Sequence, residues 1–139
     1  MENCLICGGS RFSPYRSGAY GLDVSQCEGC GLVFTAAKVD AEALAARYGE
    51  DYYSFWLSPA QRKRRERLWA RRTGRLEKIC GRGRLLDVGC GEGLFLHTAR
   101  KRGYEVSGLE FSPYAARYAS ENYGLEVRAL RFEDCDFAP

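Results

Sequence analysis

The sequence predicts an α/β protein in two parts, a small cysteine-stapled module followed by a partial parallel sheet with flanking helices. Three observations carry this reading. Four cysteines are spaced C-x2-C-x19-C-x2-C near the start, short apolar runs alternate with helical segments after residue 84, and a glycine-rich loop follows the first of those runs. The chain has 139 residues, 21 Lys+Arg against 18 Asp+Glu and 45% hydrophobic residues, a globular composition that excludes a disordered tail or a collagen-like repeat. Its start, MENCLICGGS, lacks the basic and then apolar regions of a secretory signal. No apolar run approaches the ~18–20 residues that span a bilayer, so no membrane partner is expected. Seven cysteines without an export signal read as metal ligands or free thiols in a reducing compartment, and the expected location is cytoplasmic.

Charge and texture divide the chain. Residues 1–84 carry 15 Lys+Arg and 9 Asp+Glu, whereas residues 85–139 carry 6 and 9. The expected segments are a cysteine module over 1–36, a helical linker with a basic helix over 37–83, and the sheet-forming part over 84–139. In the first, alternating runs at 20–24 and 32–35 suit small hairpins. In the second, 40–48 reads as a short helix with Asp40 at its N-cap and Gly49 after it. Ser58-Pro59 then opens a long polar helix to about Cys80, whose apolar stripe is Leu68, Trp69, Leu76, Ile79 and Cys80.

Cys4, Cys7, Cys27 and Cys30 have the spacing of a zinc site, because two residues between thiolates let both sulfurs of one turn reach a tetrahedral ion at ~2.3 Å. Gly8 and Gly31 follow the two pairs, where a knuckle turn needs a residue tolerant of positive φ. Two knuckles with strand-like sequence between them resemble a zinc ribbon. Four Cys ligands leave no position for water, which makes the expected Zn2+ structural. A module of this size has too little core to fold without it. Cys80 is read as a packing residue and Cys135 as an ordinary thiol. His97, the only histidine, falls on a predicted helix and is read as structural, and no catalytic residue is assigned.

From Arg84 the order is strand 84–88, glycine loop 89–93, helix 94–102, strand 104–110, a helix from Ser112-Pro113 to Tyr123 stopped by Gly124, and strand 125–130. This is the alternation of βαβ units. The loop segment LLDVGCGEGL places Asp87, Gly89, Gly91 and Gly93 as D-x-G-x-G-x-G at the carboxyl end of a strand, where open α/β sheets bind nucleotides. Glu110 ends the next strand, 17 residues beyond Gly93, where a carboxylate can accept from both hydroxyls of a ribose. The third glycine comes one residue too early for a dinucleotide fingerprint, and no Lys-Ser/Thr ends the loop as in a P-loop.

These motifs resemble the class I S-adenosylmethionine-dependent methyltransferases: LLDVGCGEG is similar to their first motif and GLEFSP to their second. The resemblance implies a Rossmann-like sheet, S-adenosyl-L-methionine as cofactor, and Gly89, Cys90, Gly91 and Gly93 as the cofactor loop. It further implies that Asp87 orders the methionine end, Glu110 holds the ribose hydroxyls and Phe111 flanks the adenine. With the cysteine module and a YY-containing linker, the whole chain resembles a bacterial subgroup acting in sugar or cell-envelope modification, which implies a small-molecule or nucleotide-sugar acceptor. Where many relatives carry an Asp after the third strand, Arg131 stands here. The family's sheet has seven strands and this chain stops after the third. The expectation is therefore a fragment of a longer enzyme, or a chain whose exposed sheet edge is completed by a second copy or another chain.

Between Ala60 and Lys78 nine cations (Arg62, Lys63, Arg64, Arg65, Arg67, Arg71, Arg72, Arg75, Lys78) face two acids, Glu66 and Glu77. Such a run reads first as a solvated helix face. The alternatives are a phosphate-binding surface in a nucleic-acid-binding module or RNA methyltransferase, with Trp56 and Trp69 for stacking, and a non-catalytic homologue that needs a partner.

Overall fold

The computed structural model of the chain describes residues 2–17, 23–35 and 46–136. It divides into two compact units, Met1–Asp40 and Ala41–Pro139. The helices read as a linker over 37–83 fall, from residue 41 onward, in the second unit with the sheet. The predicted helix over 40–48 lies largely outside the described residues, and only 46 and 47 are seen to be helical.

In the first unit, β1 (Phe12–Ser17), β2 (Asp23–Cys27) and β3 (Val33–Thr35) form an antiparallel sheet in that order. Among the described residues its apolar content is slight: Phe12 meets Phe34 edge-on at 5.2 Å, and Cys4 and Cys27 are buried. Burial alone gives so small a sheet little stability.

The second unit opens with α1 (Glu50–Leu57) and α2 (Pro59–Cys80). Helix α1, rich in aromatic residues and without clear helical periodicity, was not expected. Its last turn and the start of α2 share Ser58, whose hydroxyl donates back to Phe55 O at 2.8 Å and does not cap α2 as the Ser-Pro pair suggests. Pro59 occupies the first turn of α2, and the helix ends at Gly81 with φ +72. Its 22 residues include only two β-branched side chains among strong helix formers. The packed stripe differs from the expected one. Trp69 and Leu76 are half-buried and Thr73 is fully buried, whereas Ile79 is 73% exposed and Cys80, read as a packing residue, is also exposed. Thr73 enters the interior because its hydroxyl donates to Trp69 O at 2.8 Å, so its own polar atom is not left unpaired.

Then come β4 (Arg84–Val88), α3 (Leu94–Lys101), β5 (Glu105–Leu109), α4 (Pro113–Tyr123) and β6 (Val127–Arg128), with a 3-10 turn at Phe132–Asp134. β4 pairs in parallel with β5 from Arg84↔Glu105 to Val88↔Leu109, and β5 with β6, giving the order β4-β5-β6. The fold class is therefore the predicted one. Ser112 caps α4 by accepting from Ala115 N–H, and Gly124 ends it with φ +59, both as expected. The third strand is shorter than predicted. Leu125 is buried against Leu94 and Ala119 in the core, and the Leu130 N–H turns back to Arg128 O, so only two residues remain for pairing. Among the described residues β4 pairs only with β5 and is an edge of this sheet, and its Leu86 and Val88, 44% and 51% exposed, lie on a face that nothing described covers. No helix among those residues is long and apolar enough to cross a membrane.

The core joins Cys90, Leu94, Leu96, Ala119, Tyr123 and Leu125, with Trp69, Leu85, Val106, Tyr118 and Val127 against it. Two glycines make it possible. A Cβ on Gly93 would come within 2.8 Å of Ala119 Cβ and 2.7 Å of Leu125, at φ +82, and one on Gly108 would lie 2.7 Å from Cys90 Sγ and 2.8 Å from Leu96. Gly108→Ala is expected to lower the unfolding free energy by about 1–3 kcal/mol through overpacking. Gly93→Ala costs roughly 1–3 kcal/mol more for its left-handed backbone. Gly83→Ala, with open space around it, leaves the urea midpoint unchanged. Equal midpoints for all three would show the packing to be looser than described.

Candidate cofactor loop and four-cysteine centre

The glycine loop leaves β4 and folds over the end of β5: the N–H groups of Gly89 and Cys90 both donate to Leu109 O, at 2.8 and 3.0 Å. Gly89, Gly91 and Gly93 all have positive φ, a path that side chains resist, which explains the three-glycine spacing. Gly93 leads into α3, where His97 N–H takes its carbonyl.

Glu110 closes this turn. Its carboxylate accepts from Gly91 N–H at 2.7 Å and from Ser112 N–H at 2.8 Å, and the residue is buried. The same side chain thus fixes the loop after β4 and the start of α4. Asp87, two residues before the loop, is half-buried, and burial together with the Glu110 charge raises its pKa. A Cβ on Gly89 would meet nothing within 4 Å, so the backbone there borders open space. Phe111 is half-buried beside Glu110. Cys90 differs in character from its neighbours. Its side chain belongs to the core and burial pushes the thiol up to about 12, so it offers the loop no reactive sulfur.

Three further residues matter at this loop, Tyr53 and Arg65 from the helices before it and Glu92 of the loop itself. Tyr53 of α1 is buried, lies 3.8 Å from the Cβ position of Gly91 and stacks on Tyr114 at 6.0 Å. Burial and the nearby Glu110 charge raise its hydroxyl pKa. Arg65 of α2 brings its buried Nη1 to 2.6 Å from Oε1 of Glu92, the buried acid within the loop, a charge contact without hydrogen-bond alignment. Sequence reading singled out none of the three for a role at the loop. The YY pair in the linker and the acid in GCGEG were the available signals. His97 stacks on Tyr123 at 4.4 Å, and burial with Lys101 and Arg100 lowers its pKa, in keeping with a structural role. Arg131 forms a surface ion pair with Glu133.

In the first unit the four cysteines converge, with their sulfurs all within 4.8 Å of one another. Cys4 Sγ lies 3.6 Å from Cys30 Sγ, and Cys7 Sγ 3.6 Å from Cys27 Sγ. Those separations are far longer than a disulfide, and they match the ~3.8 Å edge of a tetrahedron with 2.3 Å metal–sulfur bonds. The two knuckles are built alike. Gly8 N–H donates to Cys4 O and Gly31 N–H to Cys27 O, each at 2.9 Å, with φ +72 and +77 at the two glycines. The backbone N–H groups of Cys7 and Ile6 hold the Cys4 thiol down at about 6. The donor set and its spacing fit a tetrahedral soft cation, and the geometry is that of a zinc ribbon.

A family model of the methyltransferase domain matches residues 61–135. The chain belongs to the methyltransferase-domain family. Among solved structures, it is similar to magnesium protoporphyrin IX methyltransferase from Synechocystis PCC 6803, a protein crystallised with bound S-adenosylmethionine. That likeness has 14% identity, a TM-score of 0.55, and covers 74% of this chain and 60% of the other. It is also similar to protein PH0226 from Pyrococcus horikoshii OT3, at 27% identity and a TM-score of 0.49 over 63% of this chain and 45% of that one. The bifunctional kinase-methyltransferase WbdD aligns at 24% identity and a TM-score of 0.41, over 51% and 17%. The first of these shows the fold. The chain spans less than two thirds of the length of each of these structures. No curated protein sequence matches it.

Within the methyltransferase domain, Arg65–Glu92 ties α2 to the loop. Arg65→Met alone leaves Glu92 buried and unpaired, and is expected to lower stability toward the lower end of roughly 3–5 kcal/mol. The double variant Arg65→Met/Glu92→Gln recovers most of that loss in urea unfolding. A double variant as unstable as the single one would show that the arginine acts through packing alone.

Proposed function

We propose that this chain is the cofactor-binding part of an S-adenosylmethionine-dependent methyltransferase with a structural zinc ribbon, working in the cytoplasm on a small-molecule or nucleotide-sugar acceptor. The observation that carries the reading is Glu110, a buried carboxylate at the carboxyl end of β5 hydrogen-bonded to Gly91 of the glycine loop. Membership of the methyltransferase family, and the open space beside Gly89, support it.

In this reading the loop Gly89–Cys90–Gly91–Gly93 cradles the cofactor with backbone, Asp87 orients its methionine end, Glu110 accepts from the ribose hydroxyls and Phe111 flanks the adenine. Each carboxylate oxygen of Glu110 has a second lone pair beyond the one given to Gly91 or Ser112, so the loop contact and ribose binding are compatible. The bound cofactor supplies an activated sulfonium methyl group. The protein's share of the work is to position the acceptor against it and exclude water. The unpaired edge of β4 supports completion of the sheet by further strands, of this chain or another, before turnover is reached.

Calorimetric titration of S-adenosylmethionine into the zinc-loaded chain tests the cofactor site. Binding is expected, and Glu110→Ala weakens it at least about tenfold, the loss of more than one hydrogen bond to a charged group. Undiminished affinity in a folded Glu110→Ala variant would remove the assignment.

The metal is read separately by thiol-reagent release with a colorimetric chelator. One zinc per chain is expected, little is retained by Cys27→Ser, and its removal unfolds residues 1–36 while the far-UV signal of the helices persists. A metal-free chain whose antiparallel sheet stays intact by NMR would overturn the structural role.

A further inference from the structure

We infer that the outward face of α2 binds the phosphodiester backbone of nucleic acid. The nine cations of this helix fall into two groups by what they touch. Arg62 pairs with Glu66, Arg65 with Glu92, and Arg72 lies over the Trp69 ring at 5.0 Å. The other six, Lys63, Arg64, Arg67, Arg71, Arg75 and Lys78, are all exposed and have no acidic partner among the described residues. At 3.6 residues per turn they fall in one stripe about 120° wide, opposite the Arg65, Trp69 and Thr73 face. The stripe is about 22 Å long at 1.5 Å per residue. No acid interrupts it, because Glu66 lies at its flank paired with Arg62 and Glu77 is bound to Arg82 and Arg102.

The form of the stripe selects the ligand. A single nucleotide or diphosphate needs two or three donors converging on one point, whereas here cations recur every three or four residues along a line, which suits a chain of phosphates. Four of the six are arginines, whose forked donors match phosphate oxygens. An anionic membrane surface would need an apolar face beside the charges. In α2 Ile79 alone among the large apolar residues is exposed, too little to form such a face, and most of the apolar side chains are spent inward, with Trp69 against Phe95 at 5.1 Å. For the same reason Trp69 is turned away from the stripe and offers no stacking platform. A shallow open depression of about 570 Å³ lies at the first half of the stripe, lined by Ala60, Lys63, Arg64, Arg67, Leu68 and Arg71. Leu68 is the one large apolar side chain at its floor, so binding rests on charge and is insensitive to base sequence.

Fluorescence anisotropy of a labelled oligouridylate of about 20 nucleotides, titrated with the zinc-loaded full chain, tests this. With four phosphates engaged at a slope near −0.7 each, affinity is expected to fall roughly 50-fold between about 50 and 200 mM salt. The variant Arg64→Gln/Arg67→Gln/Arg71→Gln/Arg75→Gln, which touches no part of the cofactor loop, loses at least about tenfold in affinity and most of the salt slope. Its titration with S-adenosylmethionine matches that of the parent chain, so this proposal and the cofactor reading fail separately. No binding of the oligonucleotide at low salt, undiminished binding by the variant, or binding to phosphatidylserine vesicles without the oligonucleotide would each overturn the inference.

Discussion

The carboxylate of Glu110 accepts one backbone N–H from the loop after β4 and another from Ser112, the N-cap of α4, and much of the second unit is arranged around that pair of bonds. Buried carboxylates are costly unless fully hydrogen-bonded. Here the partners are two N–H groups that a tight loop and a helix start would otherwise leave unsatisfied. The Ser112 hydroxyl extends the same set, accepting from Ala115 and donating to Tyr48 O. One acid thus joins β4, β5, α4 and the segment before α1.

Close packing around this joint explains the glycines. Gly93 and Gly108 bring backbone against Ala119, Leu125, Cys90 and Leu96 at distances no side chain would permit, whereas Gly91 is required by its positive φ of +56. Helix α2 closes the arrangement from one side. Its inward face carries the Arg65–Glu92 contact and Trp69, and Glu77 near its end binds Arg82 and Arg102. A polar helix this long is held by its few inward contacts, which leaves the remaining surface free to carry charge.

Much of this was legible in the sequence because the rules involved are local. The cysteine spacing, the glycines after each knuckle, Ser112 and Gly124 at the ends of α4, and the position of Glu110 after the second strand all follow from steric and capping requirements spanning a few residues. What escaped depends on contacts between distant segments. Glu92 reads as one more surface acid until α2 brings Arg65 to it. Thr73 looks polar until its hydroxyl is seen turned onto Trp69 O. Cys80 and Ile79 have helical spacing, yet both are exposed: Ile79 points off the inward face, and the Cys80 thiol turns back onto Leu76 O of its own helix. Helix α1 carries no clean periodicity because its aromatic residues pack among themselves and against Tyr114. The third strand shrank because Leu125, which looks like a strand residue, is claimed by the core.

The pairing of sulfurs in the cysteine centre has a chemical consequence. Two of the close contacts run between the knuckles, Cys4 with Cys30 and Cys7 with Cys27. Forming a disulfide from either contact requires the sulfurs to close by about 1.5 Å. In a chain stripped of its cation, a two-electron oxidant such as molecular oxygen or an exogenous disulfide can take either pair of thiols to a disulfide with loss of two protons, locking the two turns together covalently and abolishing the site. Metal occupancy and oxidation exclude each other here, so the redox history of a sample decides whether it can be reloaded.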